Sequence, residues 1–179
     1  NPPFRDETRV ERRSSNVEGC QLLAGVIERG AQAIAFTKSR VSAELVFRYT
    51  REQLERSRAR LPDEARDGLA SPRPPLHERL RPYRGGYLPE ERRAIEQALF
   101  SGELRGVVST NALELGIDVG GLDVAILVGA APTLASIWQQ AGRAGRSGAP
   151  SLVVLVAYND TVDQYLMRRP EYLFGRATE

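Results

Sequence analysis

The sequence predicts an α/β domain in three layers, with helices on both faces of a mostly parallel sheet. Three observations predict it. Short apolar runs recur at residues 32–36, 106–109, 123–128 and 151–157, and glycine or polar residues close each one. Stretches with apolar residues at helical spacing alternate with these runs. Strand patterns apolar on both faces, separated by helices, belong to a sheet covered on both sides.

In chain order, residues 1–16 are polar and charge-rich and read as a linker leading into the domain, which spans 17–167. Residues 17–29 form a helix: Leu22, Leu23, Val26 and Ile27 lie at near-helical spacing, and Gly30 stops it. Residues 32–36 are the first strand, with Thr37, Lys38, Ser39 and Arg40 as its polar exit. A long helix follows from Val41 to about Arg60, carrying Val41, Leu45, Val46 and Tyr49 on one side. Glu44–Arg48 and Glu52–Arg56 are i,i+4 pairs in the favourable order. Four prolines mark residues 61–80 as a loop or insertion.

Residues 81–87 read as a short strand ending in a glycine turn. Pro89 suits the first turn of the next helix, Glu90 and Glu91 sit near its positive end, and Gly102 closes it. The strands at 106–109 and 123–128 follow. A helix starts at Thr133 or Leu134 and runs to Ala141, with Gly142 as a left-handed terminator. Residues 151–157 are another buried strand. Asn159 or Asp160 caps a final helix through Met167, Pro170 stops it, and residues 168–179 begin the following region. No internal repeat is visible.

Composition narrows the functional classes. With 41% hydrophobic and 27% charged residues the chain is globular rather than disordered. It holds no run of eighteen apolar residues and its first residues lack a signal-type apolar core, so no membrane span, no membrane partner and a cytoplasmic protein are expected. Cys20 is the only cysteine and His77 the only histidine, which excludes a disulfide framework or a Cys/His metal cluster within this chain. A net charge of +2 is too small to argue for nucleic acid. Its distribution says more: residues 1–84 carry 17 Lys+Arg against 12 Asp+Glu, and residues 85–179 carry 8 against 11. A basic surface contributed by the first half is expected.

Residues 107–146 carry the most specific signal. Two short strand patterns there each run into a polar or glycine-containing loop, and the stretch ends in Gln139, Gly142, Arg143 and Arg146. Because ligands bind at the carboxyl ends of parallel strands, Thr110, Asp118, Arg143 and Arg146 are expected to gather at that edge. Two arginines just past a helix end can neutralise charge developing on a γ-phosphate, or can merely satisfy the helix dipole. Asp118 can meet a ligand hydroxyl or only order its own glycine turn. Hydroxyls and cations at a helix start, as in Thr37, Lys38, Ser39 and Arg40, suit a phosphate or serve as a cap among solvated charges. Tyr83 and Tyr87 can stack on bases, although tyrosine beside a strand is more often core. Trp138 is expected to pack.

At these residues a resemblance to a known family becomes specific. Residues 109–118 (STNALELGID) resemble motif V of superfamily 2 DEAD/DEAH-box helicases, and residues 139–146 (QQAGRAGR) resemble motif VI. Both belong to the second, C-terminal RecA-like domain of the helicase core. The wording is similar to DNA helicases of the bacterial mitomycin-repair type and their fungal RecQ-like relatives. Thr37 to Arg40 resemble motif IV. Tyr83, Arg84, Gly85, Gly86 and Arg92 are similar to a further helicase segment in which a histidine usually stands at the position of Arg84.

The resemblance implies Arg143 and Arg146 as catalytic arginine fingers, with Gly116, Asp118 and Gln139 beside them at ATP. It implies nucleic-acid contacts from Thr37, Lys38, Ser39, Arg40, Arg84, Gly85, Gly86, Thr110 and Asn111. The phosphate-cradling G-x-x-x-x-G-K-[ST] and the D-E-x-[HD] carboxylates are absent from this sequence. ATP and Mg2+ are therefore expected to be held mainly by an N-terminal RecA-like domain of the same polypeptide, and this chain is not expected to hydrolyse ATP alone. The implied substrate is single-stranded or 3'-tailed DNA, in DNA repair. Half of an RNA helicase, or a helicase-like regulatory module without a motor, remain alternatives at this point.

Overall fold

The computed structural model describes residues 13–60, 74–110, 121–145 and 150–175. Five parallel strands form one sheet in the order β2-β3-β1-β4-β5. The strands are β1 (Ala33–Thr37), β2 (Leu80–Tyr83), β3 (Gly106–Ser109), β4 (Val124–Val128) and β5 (Leu152–Val156). Among the described residues six helices accompany them: α1 (Ser15–Glu28), α2 (Arg40–Ala59), α3 (Pro89–Phe100), α4 (Leu134–Ala141), α5 (Thr161–Arg168) and α6 (Glu171–Phe174). A 3-10 turn, Leu76–Arg79, leads into β2.

Side chains alternate across each strand, and this alternation makes the layers. Ala33 and Ala35 of β1, with Val124, Ile126 and Val128 of β4, pack against Leu23 and Ile27 of α1 and Val46 of α2. Ile34 and Phe36, with Ala125 and Leu127, face α3, α4 and α5 through Leu99, Ile137 and Leu166. The predicted three-layer architecture is thus the observed one. Cys20 lies in the α1 layer, and burial pushes its thiol up to about 11, so it packs rather than reacts at neutral pH. Among the described residues no helix is long and apolar enough to cross a membrane.

Local chemistry explains the helix ends. Ser14, Ser39, Thr133 and Asp160 cap α1, α2, α4 and α5 through their side-chain oxygens. The chain turns after α1 at Gly30 and after α3 at Gly102, with φ of +86° and +74°.

Five expectations need correction. The first helix begins at Ser15, inside the stretch assigned to the linker. The stretch assigned to a loop, 61–80, ends in packed structure: buried Arg79 donates to the carbonyls of Glu103 (2.7 Å) and Gly102 (2.6 Å), and Leu80 begins β2. β5 is not buried, because it is the sheet's edge strand, and Leu152 and Val153 remain 52% and 43% exposed. Gly142 does cap α4, but at φ −65° rather than in the left-handed region; the positive φ, +117°, falls at Gly145. Finally, α6 belongs to the body of the domain, since Leu173 is buried in the core and the Trp138 indole N–H donates to its carbonyl at 3.1 Å.

Candidate functional site

The residues expected to meet nucleic acid converge at the carboxyl ends of β1, β2 and β3, which are neighbours in the sheet. Arg40, Arg84, Gly85 and Thr110 line one shallow depression there, together with Glu44 and Tyr83. The Thr37 hydroxyl faces the carbonyl oxygens of Ser39 and Ser109, at 3.1 and 3.3 Å, which ties the exits of β1 and β3 together. Ser39 caps the 20-residue α2 by accepting from the Ser42 amide at 3.1 Å, so the positive end of that helix dipole opens beside Arg40.

Arg84 pairs with Glu44 of α2, which takes Glu44 away from the helical pair with Arg48 that its spacing suggested. Arg92 donates to the Gly85 carbonyl and so shapes the turn. Gly86 stands in the open: a Cβ there would meet no atom within 4 Å. Tyr83 is a core residue, 2% exposed, and its hydroxyl donates to Glu96 at 3.3 Å. Burial, then the Glu96 charge, push that phenol up to about 12. Asn111 lies outside the described residues.

Arg143 is elsewhere, and the expected gathering of Thr110 and Arg143 at one edge is overturned. The Leu122 amide donates to the Arg143 carbonyl at 3.0 Å, and the Gly145 amide donates to the Leu122 carbonyl at 2.9 Å. Leu122 precedes β4, so this parallel bridge, Leu122 with Ala144, lies at the amino edge of the sheet. The reason is geometric. After β4 the chain turns and α4 runs back; eight residues at about 1.5 Å each return it most of the way along a strand of about 17 Å. Gln139 is exposed on the last turn of α4 and Arg143 is half-buried just beyond it. Gly116, Asp118 and Arg146 lie outside the described residues. In sequence, Asp118 precedes Leu122 by only four residues.

One part of the site escaped the sequence reading. Asp163 of α5 has no exposed surface. Its carboxylate accepts from the Lys38 ammonium (2.8 Å), from the Tyr158 amide (2.7 Å) and from the Ala130 amide (3.2 Å to the nearer oxygen). It therefore joins the exits of β1, β4 and β5. Lys38 also donates to Asp160 at 2.8 Å and lies 5.1 Å from the centre of the Tyr158 ring. Between the exits of β1 and β4 the connections leave in opposite directions, and a cleft of about 530 Å³ opens there, lined in part by Thr37, Lys38, Ala130, Pro132, Gln140 and Asp160.

Burial works against the Lys38 charge, but hydrogen bonds to Asp160 and Asp163 outweigh it and hold this lysine above its ordinary 10.5. The hydrogen bond from Lys38, then the Asp163 amide, hold Asp160 below its ordinary 3.8. A lowered carboxylate stabilises the fold above its unfolded value and ceases to as pH falls through its folded one. A raised lysine stabilises it below its unfolded value and ceases to as pH rises through its folded one. The melting-temperature deficit of Lys38→Met is thus expected to be flat across neutral pH and to shrink once pH falls below 3.8. Thermal melts of both chains against pH check this.

The family described as "Helicase conserved C-terminal domain" matches residues 18–148. The "Uncharacterized ATP-dependent helicase YprA" of Bacillus subtilis (strain 168) is 41% identical over 179 residues, which is 100% of this chain and 22% of that protein. The "ATP-dependent helicase HRQ1" of Saccharomyces cerevisiae is 36% identical over 173 residues, 97% of this chain and 15% of that protein. Among solved structures, the "DUF1998 helicase MrfA bound to DNA and AMPPNP" superposes with a TM-score of 0.79 at 40% identity, covering 100% of this chain and 22% of that one. The chain thus spans between about a seventh and about a fifth of the length of these relatives.

Proposed function

The chain belongs to the helicase conserved C-terminal domain family and has its RecA-like fold, and from that premise we propose that it is the second motor domain of an ATP-dependent DNA helicase or translocase. One observation carries the reading. The arginine segment is bonded to Leu122 at the amino edge, while Arg40, Arg84 and Thr110 meet at the carboxyl edge of the same sheet. A domain so built can join a nucleotide at one edge to a nucleic acid at the other.

ATP, with its magnesium, would be held mainly by a P-loop domain N-terminal to this one in the same polypeptide. When bound, it supplies the phosphoanhydride whose cleavage drives the cycle. Arg143 and Arg146 would place guanidinium groups on its γ-phosphate, with Gly116, Asp118 and Gln139 beside them. The backbone bonds of Arg143 and Gly145 to Leu122 support this, because they hold the arginine segment beside the chain that leads out of motif V. At the other edge, Thr37, Ser39, Arg40, Arg84, Gly85, Gly86, Thr110 and Asn111 would follow the phosphates of single-stranded or 3'-tailed DNA. Closure on ATP and opening after hydrolysis would move that edge along the strand. DNA rather than RNA is favoured because the 40% identical solved relative is described as bound to DNA. A role in DNA repair rests on the resemblance of residues 109–118 and 139–146 to the mitomycin-repair branch.

The separation of the two edges gives the test. In the longer protein, Arg40→Ala is expected to raise the half-saturating DNA concentration severalfold and to lower the slope of log affinity against log salt by about 0.7–0.9, while DNA-free ATP turnover stays at the parental level. Steady-state ATPase titrated with DNA at several salt concentrations measures both. An unchanged salt slope would remove the carboxyl edge from the nucleic-acid path.

A further inference from the structure

We infer that Asp163 and Lys38 form a positioning strut for nucleic-acid engagement, holding the β1–α2 loop in shape from behind, and that Lys38 is not itself a phosphate ligand. This rests on the reading of the carboxyl edge as the nucleic-acid track. The loop between Thr37 and Arg40 is two residues long, and the side chains around it are fixed in two directions. Thr37 faces the Ser109 carbonyl of β3, on the side of Thr110. Lys38 leaves the other way, over the exits of β4 and β5, to Asp160 and Asp163. Ser39 and Arg40, at the α2 start, are exposed and turn away from that cluster, while Lys38 keeps a side chain 35% exposed although its ammonium is engaged.

Lys38 is held at the end of its side chain. Its stem passes so close to Gly129 that a Cβ there would stand 2.6 Å from the lysine Cε. Its ammonium lies against the Tyr158 ring and between two carboxylates at 2.8 Å each. One lysine against two aspartates leaves the cluster with a charge of −1 at neutral pH, which repels a phosphate rather than inviting one. Asp163 is fully buried, and its two amide donors come from backbone beyond β4 and β5. A buried charge so placed keeps its partner tightly. The Tyr158 hydroxyl donates to Asn16 at 2.7 Å and the Gln164 amide donates to the Tyr158 carbonyl at 2.9 Å, so the strut extends to the starts of both α1 and α5. A movement of α5 would then reach the loop that carries Arg40 without any contact of α5 with the nucleic acid.

The test uses the longer protein and a single-stranded oligonucleotide, with affinity measured across salt concentrations and ATPase titrated with DNA. For Lys38→Met we expect about a tenfold rise in half-saturating DNA, a salt slope equal to the parent's, and ATP turnover at saturating DNA within about twofold of it. Asp163→Asn should match it, and the double substitution should be no worse than either single one, because both break the same link. A general loss of structure would instead lower saturated turnover as well. Asp160→Asn keeps the helix cap and removes a charge that a phosphate would feel. Under the strut reading it leaves the affinity within about twofold; if Lys38 met phosphate, it would tighten binding. The inference fails if Lys38→Met lowers the salt slope by about one, if Asp160→Asn tightens binding, or if Lys38→Met leaves DNA affinity unchanged. Arg40→Ala is the internal reference: if its slope also stays at the parental value, the assignment of this edge has failed rather than the strut.

Discussion

Replacing Arg143 with alanine in the longer protein is expected to reduce DNA-stimulated ATP turnover by about 10³- to 10⁵-fold, with nucleotide affinity changed far less. The size follows from where the charge forms. In phosphoryl transfer the γ-phosphate oxygens gain charge only as the transition state is approached, so a guanidinium aimed there stabilises the transition state more than bound ATP. Arg143 suits that work because its backbone is already placed: its own carbonyl and the Gly145 amide both bond to Leu122. Truncating the side chain leaves those backbone bonds intact, and a thermal melt of the variant beside the parent separates a chemical loss from a structural one. Arg143→Lys keeps a charge but not the planar fork, and should recover only a small part of the rate. Steady-state turnover beside equilibrium binding of a non-hydrolysable analogue separates the two quantities. Turnover within about threefold of the parent would reject the finger role for this residue. Arg146→Ala is expected to act in the same direction.

How far the sequence announces this arrangement depends on how local each feature is. The strand 106–109, the helix from Pro89 to its glycine stop and the cap at Asp160 depend on neighbours in the chain, and each stands where the pattern puts it. Features set by the sheet order were not legible in that way. The run Leu152–Val156 is apolar enough for a central strand, but only the order β1-β4-β5 says that it is the edge. Asp163 looks like an ordinary polar residue in the first turn of a short helix, since its partners, Lys38 and Ala130, lie 125 and 33 residues away.

The misplacement of Arg143 is of another kind. The rule that ligands gather at the carboxyl ends of strands was applied to a residue that follows a helix. In a parallel α/β fold such a helix carries the chain back to the amino end, so the sequence did hold the signal. The corrected geometry sets the Arg143 segment at the amino edge of the sheet and Thr110 beyond its carboxyl edge.

The same carboxyl edge yields the second large effect. Gly129→Ala is expected to destabilise the domain by about 3–5 kcal/mol, a fall in melting temperature on the order of 10 °C. Two costs add. Gly129 has φ +85°, a conformation that costs an L-residue roughly 1–2 kcal/mol. A Cβ would also stand 2.4 Å from two Tyr158 ring carbons and 2.6 Å from the Lys38 Cε, closer than any van der Waals contact allows. The ring cannot step aside freely, because its hydroxyl is bonded to Asn16 and its own amide to Asp163. Gly102 isolates the first cost: its φ is +74°, but nothing lies within 4 Å of its ideal Cβ. Gly102→Ala should therefore cost only about 1–2 kcal/mol. In the Tyr158→Leu background the cost of Gly129→Ala should fall toward that figure, as the ring is the larger obstacle. Paired denaturant titrations of these variants decide the matter, and equal costs at Gly129 and Gly102 would show that the crowding is not felt. Since the displaced atoms include Lys38, Gly129→Ala should also weaken DNA binding in the longer protein.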